Sequence, residues 1–288
     1  MYRTLLVPLD GSELAEQALP YVKEMAKGFH SDVTLLTVCS LGDPLKHVLV
    51  EYLERKADGL KVSNLKVTAV CIEGEPASSI LDFAGKNKIE LVVISTHGKG
   101  GIGRWPLGSI ATKVVQSSHI PVFLVRSSPQ AETAVKLKKI AAALDGSRFA
   151  EAIIPHVKAF ATSLGSKVVL LEVLEPVKVP QMGTFEDWGK VERDIFAKLE
   201  REAGRYLEKR KATLQSKDIE VTTKLLQGKP ADAILQYVVE AGIDLVALTT
   251  HGFSGITKWA YGSVASRIIE ASPKPILLVR PPLPVADG

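Results

Sequence analysis

"LLVPLDGSELAEQALPYVK" at residues 5–23 and "IAAALDGSRFAEAIIPHVK" at residues 140–158 carry the reading of the fold. Each opens with an apolar run of strand length and breaks at Asp-Gly-Ser. Each then continues with apolar residues at helical spacing. The shift between the two copies is 135 residues, so that Leu9 meets Leu144, Asp10 meets Asp145 and Pro20 meets Pro155. "SDVTLLTV" (31–38) meets "SKVVLLEV" (166–173) at the same shift. Further along the shift rises to 154. There "GEPASSIL" (74–81) meets "GKPADAIL" (228–235). "ELVVISTHGKGGIGRWPLGSIATKVVQSSHIPVFLVR" (90–126) meets "DLVALTTHGFSGITKWAYGSVASRIIEASPKPILLVR" (244–280).

The chain is therefore an internal repeat, with 19 extra residues in the second copy. The insertion falls between Val173 and Gly228, around "VERDIFAKLEREAGRYLEKRK" (191–211), which reads as a long charged helix. The polar stretch "SSPQAETAVK" (127–136), with Pro129 inside it, reads as a linker. Two domains, 1–128 and 136–284, are expected. In the first half, strands are predicted over 4–9, 32–38, 66–72, 91–95 and 122–125. Continuous apolar strands alternating with helices indicate a parallel sheet covered on both faces. Each half is thus expected to be a five-stranded, doubly wound α/β unit. Such units bind ligands beyond the carboxyl ends of their strands, where the winding reverses. That rule points to Pro8, Leu9 and Asp10, to Val38 and Cys39, and to "STHGKGGIGRWPLGS" (95–109).

Composition narrows the function. The 288 residues are 46% hydrophobic with a net charge of +4. Basic residues are scattered rather than clustered, which disfavours a nucleic-acid partner. No apolar run approaches the length needed to span a bilayer, and the N-terminus lacks the pattern of a signal peptide. Cys39 and Cys71 form no CxxC pair and read as reduced thiols. A cytoplasmic location is expected.

Residues 95–109 contain G-x-G-x-x-G at Gly98, Gly100 and Gly103. The second copy breaks this pattern, since Ser254 and Thr257 replace Gly100 and Gly103. The motif also follows the fourth strand rather than the first, and no acidic residue lies between Gly103 and Gln130 to hold a ribose. A nicotinamide site is set aside. What survives in both copies is Gly98 to Gly108-Ser109 and Gly252 to Gly262-Ser263. Glycine permits close backbone approach, and a helix N-terminus offers free N–H groups to an anion. Ser109 and Ser263 serve either as phosphate donors or only as helix caps. No P-loop is present, and "HGFSG" lacks the G-x-S-x-G spacing of a serine hydrolase. His97 and His251 read as structural residues, and Trp105 and Trp259 as packing residues.

Asp-Gly-Ser after the first strand, with S/T-T-H-G-x9-G-S-I/V-A after the fourth, resembles the universal stress protein family. The resemblance covers nearly the whole chain, twice. It implies a tandem pair of Rossmann-like domains related to the adenine nucleotide alpha hydrolase fold. Members that bind ATP carry G-x2-G-x9-G-S/T, and here Ser95 and Thr249 stand in place of the first glycine. By resemblance, Asp10 and Asp145 sit near adenosine, and Val38 and Val173 present backbone groups to adenine. Ile94, Ser95, Leu248 and Thr249, with Pro8, are likewise implied to contact the nucleotide. Gly98, Gly108, Ser109 and Ile110 hold phosphates in the first half, and Gly252, Gly262, Ser263 and Val264 in the second. The implied ligand is ATP or another adenine nucleotide, and its phosphates commonly bring Mg²⁺.

The first half carries Lys99 and Arg104 where the second has Phe253 and Lys258, and Pro8 becomes Ala143. Tighter binding in the first half is expected. The leading function is a non-enzymatic, nucleotide-binding stress regulator, its halves paired through the last strands "IPVFLVR" and "KPILLVR". A further homodimer and an unidentified protein partner are also expected. The alternatives are a nucleotide-free interaction module and a slow ATP hydrolase.

Overall fold

The computed structural model describes residues 1–61, 65–97, 107–128, 135–176, 188–250 and 261–281. The first half contains strands β1 (Thr4–Pro8), β2 (Asp32–Cys39), β3 (Val67–Glu73), β4 (Leu91–Ser95) and β5 (Val122–Val125). Its helices are α1 (Glu13–Glu16), α2 (Leu19–Phe29), α3 (Lys46–Lys61), α4 (Pro76–Lys86) and α5 (Ser109–Ser117). The second half repeats the order with β6 (Lys139–Ala143), β7 (Lys167–Leu174), β8 (Val221–Gln227), β9 (Leu245–Thr249) and β10 (Ile276–Val279). Its helices are α6 (Arg148–Glu151), α7 (Ile154–Leu164), α8 (Trp188–Leu214), α9 (Pro230–Glu240) and α10 (Ser263–Ala271). The inserted charged segment is the long helix α8, which spans 27 residues where α3 spans 16.

All ten strands join one sheet in the order β3-β2-β1-β4-β5-β10-β9-β6-β7-β8. Within each half every pairing is parallel, as the apolar strands predict, and both faces are buried. β1 and β4 are both fully apolar runs apart from Ser95 and the first residue of β1, because helices cover them on each side. The halves meet where β5 pairs antiparallel with β10, Leu277 lying opposite Phe123. The expected contact between the last strands is thus a backbone ladder, and it leaves neither inner edge open.

Side chains reinforce this seam. Phe160 of α7 packs edge-on against Phe29 at 5.0 Å and against Tyr2 at 5.3 Å, and stacks on Phe123 at 6.1 Å. Such aromatic pairs add stability beyond their buried area. The Tyr2 hydroxyl bonds His156 Nδ1 at 2.6 Å. Burial holds the His156 imidazole below its ordinary range and pushes the Tyr2 phenol up. Helices α2 and α7 touch closely because residue 28 is glycine. A Cβ there would stand 2.3 Å from Leu164 Cδ2 and 2.9 Å from the Ser163 carbonyl oxygen.

Candidate nucleotide cleft at the strand ends

Strand β1 ends at Pro8, and the chain turns through Gly11 at φ +85. A side chain at that φ would be strained, so glycine belongs there. Asp10 Oδ1 accepts from Ser12 N at 3.0 Å and from Ser12 Oγ at 2.6 Å. Ser12 Oγ in turn accepts from Ala15 N at 3.1 Å, which caps α1. The second half builds the same device from Asp145, Gly146 at φ +79, and Ser147 as the cap of α6. Asp10 and Asp145 are therefore turn aspartates that also stand at a strand's carboxyl end.

In the order β3-β2-β1-β4-β5 the winding reverses between β1 and β4. A cleft of about 560 Å³ opens there, within the usual range for small-molecule sites. Pro8 lines it from β1, Asp10 from the turn that follows, Val38 from β2, and Ile94 and Ser95 from β4. Gly108, Ser109 and Ile110 line it from the start of α5. Eight of the expected first-half residues thus meet in one cavity. Gly98 and Gly252 lie outside the described residues, as do Lys99, Arg104, Trp105, His251, Phe253, Lys258 and Trp259.

Gly108 is the N-cap of α5 and offers no side-chain cap. Ser109 is the first helical residue, so the reading of Ser109 and Ser263 as helix caps is corrected: Gly108 and Gly262 occupy the cap positions. Gly108 N donates to the Thr96 carbonyl at 2.7 Å, and a Cβ on Gly108 would sit 3.3 Å from that oxygen. Glycine lets the helix start abut the end of β4. Its first N–H groups have no intrahelical acceptor and carry the positive end of the helix dipole toward the cleft. This cradle suits an anionic group.

Ser95, at the place of the family's first glycine, is buried and shares a 2.7 Å hydrogen bond with Ser127. Ser127 Oγ also accepts from His97 N at 3.0 Å, and His97 Nδ1 lies 3.1 Å from Thr96 Oγ1. These contacts knit β4 to the residues after β5 and give His97 a structural role. In the second half, Leu248 and Thr249 end β9, Val173 lies near the end of β7, and Gly262, Ser263 and Val264 open α10. Topology brings these segments to one end of the second sheet half.

Several wall residues escaped sequence reasoning. Thr37, Leu49, Pro76 and Ile80 all line the first cleft, beside Cys39, which the strand-end rule did single out. The two cysteines, 32 residues apart, hold their sulfurs 3.8 Å apart across β2 and β3. Sequence spacing hides such a pair, because parallel neighbours are separated by a whole crossover. Burial, and then the neighbouring Cys39, push the Cys71 thiol up to about 11. The repeat did carry one signal for the wall: at the 135-residue shift Thr37 meets Glu172. Burial, and next the Asp145 carboxylate, push the Glu172 carboxyl up to about 7.

Comparison with known proteins agrees with this architecture. The model of the universal stress protein family matches residues 1–126 and again 136–280. A universal stress protein of Mycolicibacterium smegmatis is 27% identical over 300 residues, covering 96% of this chain and 97% of that protein. A universal stress protein of Methanocaldococcus jannaschii is 29% identical over 141 residues, covering 44% of this chain and 83% of its own length. Among solved structures, a universal stress protein from Archaeoglobus fulgidus superposes with a TM-score of 0.68 at 18% identity, over 97% of this chain and 99% of that one. That last likeness concerns the fold.

Proposed function

The chain belongs to the universal stress protein family, matched twice along its length, and on that premise we propose that it is a cytoplasmic regulator that binds an adenine nucleotide, ATP foremost. The two domains are read as 1–128 and 136–284. The observation that carries the proposal is the cleft at the β1/β4 reversal, where Asp10, Val38 and the uncapped start of α5 converge. Its two ends differ chemically in the way a nucleotide's do. Near Asp10 a carboxylate accepts hydrogen bonds from nucleoside donors, and Val38 offers backbone groups. At Gly108 and Ser109, helix N–H groups and a hydroxyl take phosphate oxygens. Apolar Leu36, Ile80 and Leu107 line the walls between, suited to a base.

Among the described residues no group of three or more His, Cys, Asp or Glu is placed to hold a metal. A Mg²⁺ ion would therefore enter on the nucleotide phosphates. Among the same residues no helix is long and apolar enough to cross a membrane. The role is regulatory rather than catalytic: a ligand that favours one conformation or assembly shifts the population toward it. Because β5 and β10 are used within the chain, a homodimer or protein partner would engage another surface.

The test is to denature the purified protein and identify any released small molecule, then to titrate ATP into the stripped protein by calorimetry. Released adenine nucleotide, or saturable binding weakened at least tenfold by Gly108→Val, is the expected result. Absence of both would favour the nucleotide-free interaction module. Steady phosphate release lost in Gly108→Val would make the chain a hydrolase.

A further inference from the structure

The repeat lets the wall of the first cleft be compared with the matching strand ends of the second half, and one difference changes the charge there. In the first cleft Thr37 is buried, and its hydroxyl donates to the Leu9 carbonyl at 2.8 Å. Its counterpart, Glu172, sits at the equivalent place on β7, close to the carboxyl end of the strand. The Glu172 side chain is half-buried, and its Oε2 is buried with no hydrogen-bond partner. Its Oε1 lies 3.9 Å from where Gly146 would carry a Cβ. The carboxylate therefore lies against the turn that holds Asp145.

The neighbouring elements bring further charged groups to the same place. Around Tyr206 of α8 gather Glu151, Glu172, Arg210 and Asp145. Arg210 is bridged to Glu151 at 3.3 Å. The first half has the matching set, with Tyr52 beside Glu16 and Asp10, and Lys56 bridged to Glu16 at 2.6 Å. Among the described residues, Tyr52 has the carboxylates of Glu16 and Asp10 near it and Tyr206 those of Glu151, Asp145 and Glu172, so the additional one is Glu172. An ionised carboxylate only accepts hydrogen bonds. Above about pH 7, where this carboxyl is ionised, it also repels a polyanion in a setting where charge is poorly screened. It is also longer than the threonine at the matching position of the first half.

We propose that Glu172 closes the second cleft to nucleotide, so that the chain binds one nucleotide, in its first cleft. This rests on the nucleotide reading above and assigns its stoichiometry to a single side chain. Glu172 is a specificity-determining residue here, because the Asp-Gly-Ser turn and the glycine-capped helix of the first half both recur in the second.

The test is equilibrium dialysis of radiolabelled ATP against the full-length, nucleotide-stripped chain. The wild type is expected to bind one equivalent at saturation, and Glu172→Thr two. The reverse exchange, Thr37→Glu, is expected to lose the single equivalent while circular dichroism and melting temperature report an intact fold. Two equivalents in the wild type, or one in Glu172→Thr, overturn the proposal and leave the nucleotide reading standing. No binding by any of the three chains defeats the nucleotide reading, and this inference with it. Since Glu172→Thr is read as a gain, misfolding cannot imitate its expected result.

Discussion

The first and second halves have the same ten-element plan and nearly the same turn geometry, yet the strand ends beside that turn are chemically unequal. The Asp-Gly-Ser device agrees bond for bond: the serine N–H and hydroxyl reach the aspartate at 3.0 and 2.6 Å in both. The wall beside it does not, since a buried threonine faces a crowded glutamate. Features that the backbone requires are preserved by the fold itself. The side chains beside the turn, which it does not dictate, are free to diverge. Repetition therefore separates structural residues from functional ones where a single copy cannot.

The largest expected effect would break the comparison by separating the halves. Phe160→Ala removes a ring that touches three first-half aromatics, and a loss of about 3–5 kcal/mol is expected. Denaturant melts should show it, and a loss below about 1 kcal/mol would mean the seam depends on its strands rather than its rings.

A smaller difference sharpens the contrast between the helix starts. A Cβ on Gly108 would meet the Thr96 carbonyl at 3.3 Å, whereas one on Gly262 would meet the Thr250 carbonyl at 3.8 Å. Gly108→Ala should cost about 1–2 kcal/mol and Gly262→Ala about 1 kcal/mol. Equal losses in paired melts would show that the two helix starts are equally tight.

The smallest effect follows pH. The folded Glu172 carboxyl titrates at about 7 against an ordinary 4.5, so the native state holds this proton more tightly than the unfolded chain. Its contribution is complete below the ordinary value and is lost as pH rises through 7. Glu172→Gln should raise stability at pH 8 by on the order of 1 kcal/mol, given the group's partial exposure, and change little at pH 4. A gain of equal size at both pH values would trace the effect to packing instead.

Most of the fold was legible, for reasons particular elements make plain. Strands 91–95 and 122–125 appear as expected because buried parallel strands are unbroken apolar runs. The strand expected over 4–9 stops at Pro8, and the one expected over 66–72 lies at Val67–Glu73. Boundaries shift because the ladder, not the hydrophobic pattern, sets where a strand ends. The cleft was legible where a residue type is dictated by backbone, as at Gly108. It was not legible where side chains from distant crossovers share a wall, as with Leu49, Ile80 and the Cys39–Cys71 contact. Glu172 stood in plain view opposite Thr37, but only burial gives that exchange its meaning.

The antiparallel junction of β5 and β10 has a consequence for how the molecule behaves on dilution. A pair of separate subunits joined in this way would dissociate as concentration fell. Here the covalent connection keeps each half at an effective concentration in the millimolar range with respect to the other. The ten-stranded unit should thus persist at any abundance, and a half expressed alone should seek a second copy of itself to cover the same edge.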